Sequence, residues 1–205
     1  MKKLIYLLLI ALLLLNSYLA FKLKTNNKTY TSAVNVINKK LDKNKNEILT
    51  FEHNFAYEKA CESIEFPKDV NLIDVNGNRI IAKDIFNTKN IVLRYSEFNC
   101  KDCIEAEINA LLKSKEKLKK DIIILAHYQV SRDLYVYYKE FQKKGLNHIK
   151  MYLLPENTLI IPVEKLNVPF YFSIDSTLTK SNFFIPQKDK PKLSLTYLEN
   201  AIKNQ

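Results

Sequence analysis

The segment Ile91-Val92-Leu93-Arg94-Tyr95-Ser96-Glu97-Phe98-Asn99-Cys100-Lys101-Asp102-Cys103 decides the fold. Its apolar, β-branched and aromatic start predicts a strand ending near Ser96. Cys100 and Cys103 follow in C-x-x-C spacing. Beyond them Ile104, Ile108, Leu111 and Leu112 recur at helical intervals, before a basic end from Lys113 to Lys120. The cysteine pair therefore sits where a strand hands over to the first turn of a helix. Free N–H groups and the positive end of the helix dipole at that place favour a thiolate at Cys100. Two intervening residues let both sulfurs meet on one helical turn.

At 205 residues and 47% hydrophobic content, the chain can bury one ordinary core and a small accessory element. The net charge of +10 is almost all lysine, since the only arginines are Arg79, Arg94 and Arg132. The lysines are scattered among many asparagines, with no arginine-rich arm and no basic–aromatic alternation. That is the pattern of a solvated surface, not of a nucleic-acid partner. The two glycines, Gly77 and Gly145, are too few for a glycine-rich phosphate loop.

Working outward to the N-terminus, Lys2 and Lys3 precede an unbroken apolar run from Leu4 to Leu15. Asn16 and Ser17 follow, then Tyr18 to Phe21 before Lys22. A helix from Leu4 to Phe21 would be ~27 Å long at ~1.5 Å per residue, close to a ~30 Å hydrocarbon core. A cleaved signal peptide competes with this reading. No small-x-small triplet occurs, however, and Tyr18-Leu19-Ala20 puts a bulky ring where a small residue is wanted. The expectation is an uncleaved signal anchor over residues 1–23. Flanking lysines are balanced, but the usual export orientation places the rest of the chain on the periplasmic or extracytoplasmic side, where disulfides persist.

Residues 24–65 are expected to form a helical stalk or tether. From Thr31 to about Ser63, Val34, Ile37, Leu41, Ile48, Phe51 and Phe55 recur at three- and four-residue steps, interrupted by Asn44. The reading preferred from sequence is a tether helix lying along the domain, a dimeric coiled coil needing a longer and cleaner repeat. Cys61, the odd cysteine of three, reads as a buried small hydrophobe.

Phe66-Pro67 opens the domain, residues 66–205. Val70–Val75 and Arg79–Ile81 flank Asn76-Gly77-Asn78, a hairpin signal because Asn-Gly tolerates positive φ. Ile122–His127 is a continuous apolar strand. Ser131 is expected to cap a helix that Gly145 ends, and His148–Leu154 to form the next strand. A short helix is expected at Pro162–Leu166, then strands at Val168–Asp175 and Lys180–Ile185. Ser194 is expected to cap a last helix through Ile202. Strands alternating with helices, then a hairpin and a closing helix, predict a three-layer α/β domain.

That order of elements, with C-x-x-C at the start of the first helix and Val168-Pro169-Phe170 later, resembles the thioredoxin-like superfamily. The leading hairpin and the inserted βα unit resemble its TlpA-like (AhpC/TSA-related) branch of membrane-tethered thiol–disulfide oxidoreductases. The likeness covers about Phe66 to Ile202. It rests on Asn71–Gly77, on Asn90–Cys103 and on Val168–Asp175. The chain departs from the family where Asn99 replaces the usual Trp, where Asp102 replaces a common Pro, and where Arg94 replaces a buried acid.

What the resemblance implies is a redox couple of Cys100 and Cys103, with a cis Pro169 facing them and Val168 free to pair with a substrate strand. Asn99, Lys101 and Asp102 would shape the surroundings. Arg94 and Glu97 are the candidates for tuning, Glu97 as the nearest carboxylate for acid–base work and Arg94 either as a thiolate-favouring charge or as an anchor at the sheet edge. Implied partners are protein thiols or disulfides and a membrane-bound electron donor, with no cofactor and no metal.

Three alternatives stand beside this. A zinc site would need a second ligand pair, which Cys61, His53, His127 and His148 do not supply in spacing. A peroxiredoxin would want Thr where Glu97 stands. A redox-inactive thioredoxin-fold binding or sensor module with a structural disulfide is the reading from a different class.

Overall fold

The structure, a computed structural model, describes residues 2–117, 122–155 and 158–203. The chain divides into two compact units, residues 1–52 and residues 53–205. One helix, α1 (Lys2–Cys61), forms the first unit and enters the second. Neither Pro nor Gly occurs in it, so nothing in the backbone separates the expected anchor from the expected stalk. Thr25, Thr29, Thr31 and Thr50 turn their hydroxyls back onto carbonyls four residues earlier, so these polar side chains are satisfied within the helix. Ser63, at a φ of 63°, and Phe66-Pro67 end it.

The second unit holds a seven-stranded sheet. Its strands are β1 (Asn71–Asp74), β2 (Arg79–Ile81), β3 (Asn90–Ser96), β4 (Ile122–His127), β5 (Ile149–Leu153), β6 (Phe170–Ile174) and β7 (Lys180–Phe184), in the order β2-β1-β5-β4-β3-β6-β7. β3, β4 and β5 run parallel, and the outer pairs are antiparallel. Helices α3 (Lys101–Ser114) and α4 (Ser131–Lys143) make the two crossovers, and α5 (Pro191–Lys203) closes the chain. Their apolar sides meet Leu93, Tyr95, Ile124 and Tyr171 in one core layer. The other layer joins Cys61, Phe66, α2 (Ala82–Ile85) and Leu154, Leu159, Ile161 and Val163 against Val92, Leu125 and Phe172. β3, buried along its whole length, lies between the two, as its continuous apolar sequence demands.

The hairpin and β4 form where the sequence places them. Asp74 Oδ1 accepts the N–H groups of Asn76 and Asn78, each at 2.8 Å, and Gly77 takes a φ of 88°. Gly145, at φ 93°, follows the end of α4. Both serine caps are displaced. Val130 is the N-cap of α4, and Ser131 is its first helical residue. α5 begins at Pro191, whose fixed φ suits a first turn, and Ser194 lies buried inside the helix with its Oγ donating to Glu107 Oε1 at 3.1 Å. Pro162–Leu166 is a 3-10 helix, not an α-helix turn.

The β7 edge is closed by the chain's own polar groups. The N–H groups of Asn182 and Phe183 donate to the Glu62 carboxylate at 3.1 Å each, and that of Ile185 to Glu58 at 2.7 Å. Lys180 is fully buried, its Nζ 3.0 Å from the Glu65 carbonyl and 5.5 Å from the Phe66 ring centre. Burial pushes its ammonium down to about 8, with the charges of Cys61 and Glu164 opposing in part. Between about 8 and its ordinary 10.5, Lys180 is protonated when the chain unfolds and neutral when it folds, so stability rises with pH across that window. Lys180→Met is expected to remove about 2 kcal/mol of that rise, measured by urea unfolding at about pH 7 and about pH 9.5, with stability at neutral pH at or above wild type. An unchanged pH dependence in the variant would remove Lys180 as its source.

Candidate functional site

β3 ends at Ser96, and the turn Glu97–Asn99 delivers the chain to Cys100, the N-cap of α3. Cys100 Sγ accepts the N–H of Cys103 at 3.3 Å, the bond that an N-cap side chain makes. Cys100 and Cys103 are joined as a disulfide with Cα atoms 5.1 Å apart. Cys100 is exposed and Cys103 half-buried behind it. The pair thus presents one sulfur to an incoming group and keeps the other within reach of the first.

Asn99, where an aromatic residue would stand in the resembled family, works through hydrogen bonds. Its Oδ1 accepts the N–H of Ser96 at 2.8 Å, and its Nδ2 donates to Asn167 Oδ1 at 2.7 Å. Asn167 Nδ2 in turn donates to the Phe98 carbonyl at 3.4 Å. Asn167 is the C-cap of the 3-10 helix in left-handed conformation, φ 52° and ψ 43°, a geometry that Asn tolerates better than most residues. The two amides clasp the turn before Cys100 to the segment that leads into Val168 and Pro169. Pro169 is buried and Val168 half-buried. No cis peptide occurs among the described residues, so the expected cis Pro169 is corrected to trans. Asn167 already supplies the reversal out of the 3-10 helix, and trans is the lower-energy form of an X–Pro bond.

Arg94 is neither at the sheet edge nor free to serve the cysteines. It stands in β3, between β4 and β6, and is 2% exposed. Its Nε lies 3.2 Å from Glu164 Oε1, and its other nitrogens donate to the carbonyls of Tyr95, Leu125, Leu154 and Pro155. A buried guanidinium needs this many acceptors because it cannot shed its proton. Glu164 Oε2 has no hydrogen-bond partner among the described residues. Arg94, Ser96, Asn99, Glu164, Asn167 and Val168 line a cavity of about 340 Å³ beside the turn before Cys100.

The other predicted residues play smaller parts. The Glu97 carboxylate accepts the N–H of Gln129, tying the turn before Cys100 to the loop after β4. Lys101 and Asp102 are exposed, and Lys101 lies 3.9 Å from Glu105, a pair of the kind worth at most ~1 kcal/mol. His127 ends β4 with its Nδ1 buried and without a hydrogen bond among the described residues. No group of three or more His, Cys, Asp and Glu that could hold a metal occurs among the described residues. Cys61 is fully buried, and burial pushes its thiol up.

Sequence reasoning missed Glu107, Glu164 and Asn167. Glu107 follows Cys103 by one helical turn on α3 and is 1% exposed. Burial raises its carboxyl above the ordinary range, against the pull of the hydrogen bond from Ser194. Its spacing from Cys103 was the only signal available in the chain. Across α3 and α4, a second cavity of about 450 Å³ is lined by Tyr95, Ile104, Ile108, Tyr128 and Tyr137, with the Tyr95 and Tyr128 hydroxyls 2.6 Å apart.

The strand order, the crossovers and the cysteine pair at the start of α3 define a thioredoxin-like fold. Among solved structures the chain is similar to a candidate electron transport protein from Aquifex aeolicus VF5, with a TM-score of 0.50 and 16% identity over 69% of this chain and 96% of that one. It is also similar to the thioredoxin domain of a thiol-disulfide oxidoreductase from Bacteroides vulgatus (TM-score 0.48, 16% identity, 70% and 96% covered). A third is a thio-disulfide isomerase from Thermus thermophilus (TM-score 0.43, 16% identity, 67% and 96% covered). At these identities the likeness concerns the fold. No protein-family model matches the sequence, and no curated protein does.

Arg94→Met is expected to destabilise the domain by about 3–5 kcal/mol, because Glu164 would then lose the cation paired directly with it. Adding Glu164→Leu should restore most of that loss. Urea unfolding of the two variants checks this: equal destabilisation of the single and double variants would show that the ion pair is not what Arg94 contributes.

Proposed function

We propose that this chain is a membrane-anchored, extracytoplasmic thiol–disulfide oxidoreductase that exchanges its Cys100–Cys103 couple with protein thiols and disulfides. The observation that carries the reading is the exposed Cys100 at the N-cap of α3 with Cys103 half-buried behind it and disulfide-bonded to it. In the dithiol form, the helix N-terminus favours a thiolate at Cys100. That thiolate attacks a substrate disulfide, the substrate S–S bond breaks, and one substrate sulfur leaves as thiolate. Cys103 then attacks Cys100, releasing the second substrate thiol and closing the Cys100–Cys103 disulfide. Two electrons have passed to the substrate, and a membrane-bound donor returns them. Reduction of substrates is the direction that the family resemblance suggests.

Asn99, Asn167, Val168 and Pro169 shape the substrate side of the pair, Lys101 and Asp102 its rim. Arg94 serves by holding the connection that carries Asn167, not by acting on a sulfur. The proposed organisation is an anchor over residues 1–23, a stalk over 24–65 and the redox domain over 66–205. In support of the anchor, the apolar side chains from Tyr6 to Phe21 are exposed on α1, which is long and apolar enough to cross a membrane. The rival reading, a binding or sensor module with an inert disulfide, draws on Arg94 standing where the resembled family has a buried acid.

A Cys103→Ser variant is expected to accumulate mixed disulfides with protein partners, seen as reducible adducts that vanish when Cys100→Ser is added. Cells showing no Cys100-dependent adduct would favour the binding module, as would a reduction potential below about −300 mV. The anchor is checked separately. Membranes washed with alkaline carbonate should retain the protein, and release of a soluble form starting near Phe21 would reject it.

A further inference from the structure

The cleft between α3 and α4 has no part in the exchange steps above, yet it starts beside the reacting sulfur. Along α3 it runs from Lys101, the neighbour of Cys100, to Asn109. All of its lining residues belong to the second unit. Its volume of about 450 Å³ falls within the ~300–1,000 Å³ of ligand pockets.

Its walls are apolar, and its floor holds a spare hydrogen. Ile104 and Ile108 line it from α3, Tyr137 and Phe141 from α4. Tyr137 stacks on Tyr128 with ring centres 5.2 Å apart and planes 6° from parallel. Tyr128 meets Tyr95 edge-on at 83°, and their hydroxyls lie 2.6 Å apart. Two hydroxyls carry two hydrogens, and the bond between them uses one. The other has no acceptor among the described residues, although Tyr95 is only 2% and Tyr128 5% exposed. A buried donor left over in this way calls for an acceptor. Both tyrosines line the cleft, so an occupant of the cleft can supply one.

The charges at the rim are already engaged. Lys101 lies 3.9 Å from Glu105, Lys144 lies 2.6 Å from Glu140, and the Glu97 carboxylate accepts the Gln129 N–H. The cleft therefore selects an uncharged occupant with an apolar body and a neutral acceptor oxygen. A polypeptide offers both, as an aromatic side chain and a backbone carbonyl. Ile104 and Ile108 stand four and eight residues past Cys100, ~6 and ~12 Å along the helix at ~1.5 Å per residue. An extended peptide, at ~3.3 Å per residue, covers that span two to four residues from the cysteine that it presents to Cys100.

We infer that this cleft is a specificity pocket for protein substrates, taking an aromatic side chain two to four residues from the substrate's reacting cysteine. The ring packs offset or edge-on against Tyr137 and Phe141, and a backbone carbonyl of the same segment accepts the spare tyrosine hydrogen. Substrate selection of this kind rests on the exchange reading proposed above.

The test uses full-length Cys103→Ser in detergent and capped peptides whose cysteine is joined to a chromogenic thiol. Cys100 attacks the peptide sulfur, the S–S bond of the probe breaks, and the chromogenic thiolate leaves. Peptides with Trp three residues before or after the cysteine are compared with their Ala counterparts. At least one Trp peptide is expected to react about tenfold faster than its Ala counterpart. Tyr137 is 42% exposed, so Tyr137→Ala leaves the core closed; it should remove that preference, and Tyr137→Phe should keep it. Absence of any preference for Trp over Ala would overturn the inference, as would a preference that survives Tyr137→Ala. Failure of the exchange reading looks different, because no peptide then reacts. The chain contains no Trp, so binding is in that case read from peptide fluorescence, with Ser replacing the peptide cysteine and wild type in its disulfide form. Saturable binding that Tyr137→Ala weakens about tenfold upholds the pocket, and its absence overturns it. Competition by N-acetyltryptophanamide as tight as by the whole peptide would assign the pocket to a free small molecule, and would also overturn it.

Discussion

A guanidinium buried in a central strand constrains everything around it. Arg94 can neither lose its charge nor reach water, so its acceptors must come from whatever packs over β3. They come from β4 through Leu125, from the end of β5 through Leu154 and Pro155, and from the 3-10 helix through Glu164. One side chain therefore fixes the long connection between β5 and β6 against the strand that delivers Cys100. The Asn99–Asn167 clasp is the outward continuation of that constraint, made between two segments that Arg94 has already brought together. This chain stiffens the turn before Cys100 with amide hydrogen bonds over a buried ion pair.

The parts of the fold legible in the sequence are those written by local pattern. β4 was readable because five consecutive apolar residues, four of them large, suit a strand buried on both faces, and the cysteine turn because a strand, two cysteines and a helical period follow one another without interruption. Gly145 marked the end of α4 through the positive φ that it adopts. The caps were misread because a serine near a helix start is only a preference. Pro191 opened α5 earlier, and Ser194 was taken by the buried Glu107.

What stayed hidden was pairing at long range. Glu164 lies 70 positions from Arg94, Asn167 lies 68 from Asn99, and Lys180 lies 115 from the carbonyl that it meets. No local spacing announces such partners. Arg94 was recognised as a departure, but its meaning depended on which face of β3 it used, and that is decided by the elements that cover the strand. Lys180 looked like any surface lysine at the start of a strand. It is buried because α1 and the segment after it run along β7, with Ser63 and Phe66 bonded to Lys180 and Leu178.

Three thiols in one chain permit three pairings, and the structure holds one of them, Cys100 with Cys103. Cys61 has no exposed surface, and burial pushes its thiol up. A thiol disfavoured as thiolate and shielded from approach is a poor nucleophile toward a disulfide. Sealing Cys61 in the core thus acts as proofreading of the pairing. It disfavours the two other combinations by rate, so that whenever the Cys100–Cys103 bond forms, the chain's third sulfur is kept from scrambling it.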